Sequence, residues 1–379
     1  MAIERIRKLL TGDSPGRTTE LNGFRVGPAN ARRKAYLQGG LHADEQPGIM
    51  TLHHLLQMLF EADSAGQLNA EFVVFPMVNP LGMGNIEFGM HQGRYDVPSG
   101  VNFNRDWPDL FEHIEHKIEG KLGQDEQNNI QVVRQAIGHW LNNLKTDSAR
   151  QQLRRYVLQE AYTADYVLDL HCDDEALLHI FSAPHCNAQM QKLSDSLGCA
   201  AILTAEDSGG GSFDEACPLL WIKLTEKYPD LPLTIPVAAC TIELRGEGDV
   251  FDAVGHRDAE GIYSFFQQQG LIGGELVVQP RVTPAPKPLN ATELLRTDKA
   301  GLLAYKVELG QEVNKGDVIA EVICLEGDDA FTERYPVKAG TSGTVLSRLH
   351  HKYVWAGCTI AKIVGTEPLA SRGEYLLQD

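Results

Sequence analysis

Lys34-Ala-Tyr-Leu-Gln38-Gly39-Gly40-Leu41-His42-Ala43-Asp44-Glu45-Gln46-Pro47 is the stretch that decides the fold. Its opening is a short apolar run, the paired glycines break that run, and Pro47 suits the first turn of a helix. Over residues 48–62 the apolar side chains Ile49, Leu52, Leu55, Leu56 and Leu59 recur at helical spacing, which predicts an amphipathic helix. Strand, tight turn and helix in this order are the first part of a βαβ unit. The same alternation continues outward. Apolar runs predict strands at 71–78, 166–170, 200–204 and 237–242, a further helix covers 149–161, and the polar stretch 112–143 reads as a helical hairpin or insertion. Between residues 33 and 266 the pattern therefore predicts an α/β fold, a mainly parallel mixed sheet flanked by helices.

The chain has 379 residues, enough for two or three domains. A break falls at 270–288, where Gly273-Gly274 and then Pro280, Pro284, Pro286 and Pro288 punctuate the sequence. We divide the chain there into a catalytic domain, 1–273, and a linker with a C-terminal β domain, 274–379. The second part contains a repeat: Val313, Gly316, Ile319, Ala320 and Val322 recur as Val354, Gly357, Ile360, Ala361 and Ile363, each 41 residues later (354 − 313). Two such halves predict a pseudo-symmetric, all-β barrel-sandwich domain resembling the biotinyl/lipoyl carriers. A working carrier needs a lysine at the hairpin between the halves, and 325–331 contains none. A structural or substrate-lining role is expected instead, without a covalent cofactor.

Hydrophobic residues make up 43% and charged residues 22%, ordinary globular usage, so disorder and coiled coil are poor readings. The net charge of −17 argues against nucleic acid and anionic membrane as partners, because it lacks the cations that displace counterions from phosphate. Residues 1–12 never build the apolar core of a secretory signal, and no run of about 18 apolar residues occurs, so a cytoplasmic location is expected. The seven scattered cysteines, with no Cys-x-x-Cys, read as reduced thiols.

Four segments fall where strands of an open sheet end and ligands converge. His42 and Glu45, three apart, let an imidazole and a carboxylate reach one cation from a single turn, although such a pair also suits an ordinary helix start. His171 ends the apolar run Tyr166-Val-Leu-Asp-Leu-His171, and two histidines with one carboxylate leave a position for water, as catalytic zinc sites do. Asn104-Arg105, with Trp107 nearby, offers an amide and a guanidinium fork that clamp a carboxylate, while Arg94 in isolation reads equally as a solvated loop residue. Glu243, at the end of 237–242, is a candidate general base, with ion pairing to Arg245 as the plainer alternative. Gly209-Gly210-Gly211 lacks the Lys-Ser/Thr of a phosphate loop and reads as a flexible lid before a Ser212–Glu215 capping box.

The order His-x-x-Glu, Arg, Asn-Arg, Asp-Leu-His, Glu resembles the zinc carboxypeptidase superfamily, and most closely its succinylglutamate desuccinylase/aspartoacylase branch. Gly211-Ser-Phe-Asp-Glu-Ala216 and the C-terminal β domain are similar to that branch too. The resemblance implies a zinc carboxypeptidase-like fold and one Zn2+ per chain, held by His42, Glu45 and His171. It implies that Arg94 polarises the scissile carbonyl, that Asn104 and Arg105 hold the substrate carboxylate, and that Glu243 is the catalytic acid/base. Two positions depart from the family pattern: Ala43 replaces a glycine, and Asn102 replaces an acid often oriented toward a metal-bound imidazole. The expected function is a zinc-dependent deacylase that hydrolyses the amide of an N-acyl amino acid or similar small carboxylate, a linear amide other than a peptide bond. Its partner is a small anionic N-acyl substrate, and a homo-oligomer is left open. The alternatives are a zinc carboxypeptidase acting on peptides and a non-catalytic binding protein on the same scaffold.

Overall fold

The computed structural model describes residues 3–12, 15–16, 18–29, 31–328, 330–373 and 375–376; Met1 and Ala2 of the N-terminal reading and Asp329 of the lysine-free stretch lie outside them. Strands β1 (Glu4–Thr11), β2 (Thr18–Val26), β3 (Lys34–Gly39), β4 (Glu71–Phe75), β5 (Tyr166–Asp173), β6 (His179–Ser182), β7 (Ala201–Thr204), β8 (Ala238–Gly246) and β9 (Lys287–Pro288) form one nine-stranded sheet, in the order β1-β2-β4-β3-β5-β8-β6-β7-β9. The run β4-β3-β5-β8 is parallel, as are β6-β7 and β7-β9, while β1-β2, β2-β4 and β8-β6 are antiparallel. The expected mainly parallel mixed sheet is thus present. The sequence pattern places no element on the β1-β2 hairpin, on β6 and β9, or on the helices Asn187–Leu197 and Asp252–Gln268. In the β1-β2 hairpin Ile6, Leu10 and Leu21 are buried, but Arg5, Arg7 and Leu9 face outward and the half-buried Lys8 interrupts the inner face, so the apolar signal is diluted. Strand β6 is only four residues long.

Helices cover both faces. α1 (Pro47–Ser64), α5 (Asn187–Leu197) and α7 (Asp252–Gln268) bury Leu52, Leu55, Leu59, Met190, Leu193, Ile262 and Phe265 against one side of the sheet. α2 (Leu110–Ile118), α3 (Glu126–Asn143), α4 (Ala149–Ala161) and α6 (Pro218–Lys227) bury Ile114, Val133, Ile137, Val157 and Leu220 on the other. The polar stretch 112–143 is thus two amphipathic helices, started by Asp109 and Asp125 side chains that accept from the backbone N–H of Phe111 and Asn128. At the N-terminus of α1, Gly48 sits so close to β5 that a Cβ there would meet the Leu170 carbonyl oxygen at 2.7 Å. A glycine is what lets this helix start press on the strand that carries His171.

Beyond β9 come β10 (Thr292–Arg296), β11 (Gly301–Tyr305), β12 (Val318–Ile323), β13 (Arg334–Lys338), β14 (Gly343–Arg348) and β15 (Thr359–Val364). With the two-residue strands Glu175–Ala176, Glu312–Val313 and Tyr353–Val354 they build two sheets of five and four strands around one core. The repeated positions fill that core as pairs: Val313 with Val354, Ile319 with Ile360, Ala320 with Ala361 and Val322 with Ile363 are all buried. The two parts of the chain are joined through β-pairing, since Glu175 and Ala176, just after β5, pair antiparallel with Arg348 and Ser347 of β14. All seven cysteines are free, six of them buried. Among the described residues no helix is long and apolar enough to cross a membrane.

Candidate active site and metal centre

His42 and Glu45 lie in the turn between β3 and α1, and His171 lies two residues before the end of β5, the strand beside β3. That adjacency brings the three side chains together. Glu45 Oε1 is 2.8 Å from His42 Nδ1, and Glu45 Oε2 is 2.7 Å from His171 Nδ1. The other ring nitrogens are held from behind: His42 Nε2 donates to Asn102 Oδ1 at 2.8 Å, and His171 Nε2 donates to Asp169 Oδ2 at 2.9 Å. Both rings therefore turn Nδ1 toward Glu45, and with Nε2 committed to these outer partners Nδ1 is the nitrogen each ring would offer a cation. Asp169 is anchored in turn by Gln38 Nε2 at 2.9 Å, and Gln38 by the Tyr36 hydroxyl at 2.7 Å.

The loop after α1 and β4 closes over the turn. Arg94 Nη1 donates to Glu45 Oε1 at 2.8 Å. Its predecessor Gly93 accepts from Ala43 N–H at 3.1 Å and approaches the turn so closely that a Cβ would lie 2.2 Å from Asp44 N. Asn104 places Nδ2 3.3 Å from His171 Nε2, while its Oδ1 accepts from Phe213 N–H at 2.8 Å. Arg105 Nη1 donates to the Asn104 carbonyl at 2.8 Å, and its stem lies against Gly210. The whole 102–106 loop is tied down by Arg154, which donates to the carbonyls of Asn102, Phe103, Arg105 and Asp106.

Glu243 on β8 is in register with His171 on β5 and His179 on β6, so all three stand in a row across the sheet. Its Oε2 is buried without a hydrogen-bond partner. Arg245 is not its partner: Arg245 turns away through a left-handed backbone, φ 66°, and pairs with Asp258. Burial first, and then the neighbouring Glu45 charge, push the Glu243 carboxyl up to about 8. Burial pushes the His42 ring down, with Glu45 opposing. For His171 burial acts in the same direction, but Asp169 and then Glu45 outweigh it and hold that ring well above its usual value. Glu45 itself is disfavoured as an anion by burial, yet the two rings keep it well below the carboxylate range.

The site opens into one cavity of about 590 Å³, lined also by Thr241, Asp214 and side chains from the C-terminal sheets. Every residue singled out as a candidate site residue, His42, Glu45, Arg94, Asn104, Arg105, His171 and Glu243, reaches it.

A model of the succinylglutamate desuccinylase/aspartoacylase catalytic domain matches residues 31–267. The chain belongs to this family. Among curated proteins no sequence matches it. Solved structures share its fold: a provisionally named succinylglutamate desuccinylase/aspartoacylase of Shewanella frigidimarina is 20% identical, with a TM-score of 0.83, over 96% of this chain and 97% of that one. A family protein of Shewanella amazonensis is 21% identical, with a TM-score of 0.80, over 95% and 98%. The ectoine utilization protein EutE (DoeB) of Ruegeria pomeroyi, in a product-bound structure, is 17% identical, with a TM-score of 0.68, over 96% and 95%.

In this desuccinylase/aspartoacylase chain the residues present fit a divalent cation. Among the described residues His42, Glu45 and His171 are the one group of metal-type donors whose ligand atoms all lie within 4.8 Å of one another, and all three are buried. Two imidazole nitrogens and a carboxylate oxygen, with tautomers already set, suit zinc. Cys172 contributes its backbone N–H, 3.1 Å from Glu45 Oε2, while burial pushes its thiol up. Two expectations need correction. Ser212 donates to Asp214 Oδ1 at 2.6 Å and Glu215 accepts from Ser208 N–H at 2.9 Å, so no capping box forms. Nor is 209–211 a free lid, because Gly210 and Gly211 accept from Asp106 and Trp107 N–H at 3.2 and 2.9 Å. Sequence reasoning missed Gln38, Asp169 and Arg154. For the first two a signal existed: each is a polar residue inside an apolar strand run, which is costly unless it is hydrogen-bonded.

Proposed function

We propose that this protein is a zinc-dependent hydrolase that cleaves the amide bond of an N-acyl amino acid or a similar small carboxylate. The observation that carries the reading is a buried, orphaned Glu243 oxygen in the same cavity as two inward-facing imidazole nitrogens, the Glu45 carboxylate and two arginines. His42, Glu45 and His171 would hold the zinc, which when bound supplies Lewis acidity and makes water a stronger acid. Glu243 takes a proton from the water that adds to the amide carbonyl, and returns it to the nitrogen as the C–N bond breaks, leaving a carboxylic acid and an amine. Glu243 would gain its basic, ionised form with a cation held there, since the cation would offset the Glu45 charge that raises its pKa. Arg94 turns Nη1 to Glu45 Oε1 and, at 3.3 Å, to His42 Nδ1, which leaves Nη2 and Nε for the oxyanion, whose charge develops as water adds. Arg105, with Asn104 beside it, meets the substrate carboxylate by a charge-assisted contact.

Leu349, Trp355 and Ile360 of the C-terminal domain wall the cavity on one side, which favours small acyl amino acids over peptide chains. The test is a panel assay of zinc-supplemented protein with N-acyl amino acids, their C-terminal amides and short peptides. Hydrolysis of the acyl acids, falling at least about tenfold for the amides, is expected. Preferred cleavage of peptides would reassign the protein as a carboxypeptidase, and inactivity on every compound as a binding protein.

A further inference from the structure

The C-terminal repeat carries opposite charges at one of its aligned positions. Lys362 stands 41 residues after Glu321 (362 − 321). Glu321 faces outward on β12 and pairs with Lys306 and Arg334 at the surface. Lys362 instead enters the active-site cavity, where its ammonium pairs with Asp173, the last residue of β5. The side chains are 27% and 12% exposed, so this is a largely enclosed ion pair and not a surface one. The lysine cannot easily drift. It sits in the middle of β15, in register with Leu294 on one side and Ser347 on the other.

Asp173 lies two residues beyond His171 on the same strand face, and β8, which carries Glu243, runs alongside with a register shift between Glu243 and Gly246. The strand end is therefore irregular just where it must hold the site. On the other side of it, Glu175 pairs with Lys352 at 2.8 Å and with Arg348 at 3.2 Å, at the rim of the domain junction.

We propose that Lys362 is a positioning residue of the active centre, supplied by the C-terminal domain to hold the Asp173 carboxylate and, through it, the strand end that sets His171 beside Glu243. The proposal rests on the hydrolase reading for its kinetic consequence but not for its structural one. The C-terminal domain then completes the site as well as walling it.

The test compares Lys362→Met, Lys362→Arg, Asp173→Asn, the Lys362→Met/Asp173→Asn double variant and the rim variant Lys352→Met. Hydrogen exchange is followed first in the chelator-treated protein. Lys362→Met should exchange the amides of 171–175 and 243–247 several-fold faster, Lys362→Arg should restore protection, and Lys352→Met should leave those amides as in wild type. On the best acyl amino acid, Lys362→Met should lower kcat about 10-fold or more with KM within about threefold, as loss of an outer positioning contact does. The double variant should be no worse than the poorer single one, because both changes remove the same contact. Additive losses, a rise in KM with kcat intact, or unchanged exchange would each overturn the proposal. If Lys362→Met does not fold, as judged by near-ultraviolet circular dichroism, Lys362→Gln takes its place in every comparison. A wild-type protein that hydrolyses no acyl amino acid sinks the hydrolase reading alone, since the exchange experiment still decides the role of Lys362.

Discussion

At the residue scale, Asn102 shows how the structure turns a departure from the family pattern into a definite role. Its Oδ1 accepts both from His42 Nε2 and from Asn104 N–H, at 2.8 and 2.9 Å, so the amide fixes the His42 tautomer without a charge. A carboxylate in that place makes the imidazole a more basic ligand. Asn102→Asp is expected to tighten zinc binding by about tenfold, measured by competition with a chromophoric chelator; unchanged affinity would mean that orientation alone matters there. Glu243→Gln keeps the shape of the site but cannot accept a proton. It should retain zinc while turnover falls roughly 10²-fold or more, and near-wild-type turnover would remove Glu243 from the chemistry.

At the scale of elements, the turn after β3 and the loop through Arg94 are packed without slack. A methyl at Gly93 would lie 2.2 Å from Asp44 N, so Gly93→Ala must move either Arg94 or the His42–Glu45 turn. Loss of zinc affinity with a destabilisation of about 1–3 kcal/mol in urea melts is expected; a silent substitution would show the turn to be compliant. The short helix at Phe213–Ala216 carries a different consequence. Burial, and then Asp214, push the buried Glu215 carboxyl from its ordinary 4.5 up to about 7. The folded state therefore holds this proton more tightly than the unfolded chain. The stabilisation is full below pH 4.5 and is lost as pH rises toward 7. The stability of wild type relative to Glu215→Gln should fall over that interval and level off above it, as read from urea midpoints at several pH values.

At the scale of the molecule, a cation at the site would join the β3–α1 turn to the neighbouring strand β5, and it binds the folded chain only. With zinc at about 1,000 times its Kd this is worth about 4 kcal/mol. Stripping zinc by chelation and dialysis should then lower Tm by several degrees, about 5 °C or more, reversibly on zinc addition and in the His171→Ala protein not at all. Equal melting of the stripped and reloaded wild type would argue that no ion bridges the two elements.

Much of the fold was legible because it depends on local order. The apolar period from Ile49 to Leu59, the strand run ending in His171, the proline-rich break and the 41-residue repeat each act over a window shorter than a domain, and burial of one face enforces them. The residue types at the site were legible for a related reason: His42, Glu45, His171 and Glu243 sit at strand ends, where an open sheet delivers side chains to one place. The edge hairpin β1-β2 and the four-residue β6 were not legible, because their pairing with distant strands, not their own pattern, makes them strands. Nor did sequence show that Lys362 reaches Asp173, since that contact joins residues 189 positions apart. The sequence by itself determined the parallel strands at the centre of the sheet, the helices at 48–62 and 149–161 and the residue types of the donor set. Only the tertiary structure decided the tautomers, the isolation of Glu243 and the part the C-terminal domain takes, because each depends on which side chains the folded chain brings within hydrogen-bonding reach and which it shields from water.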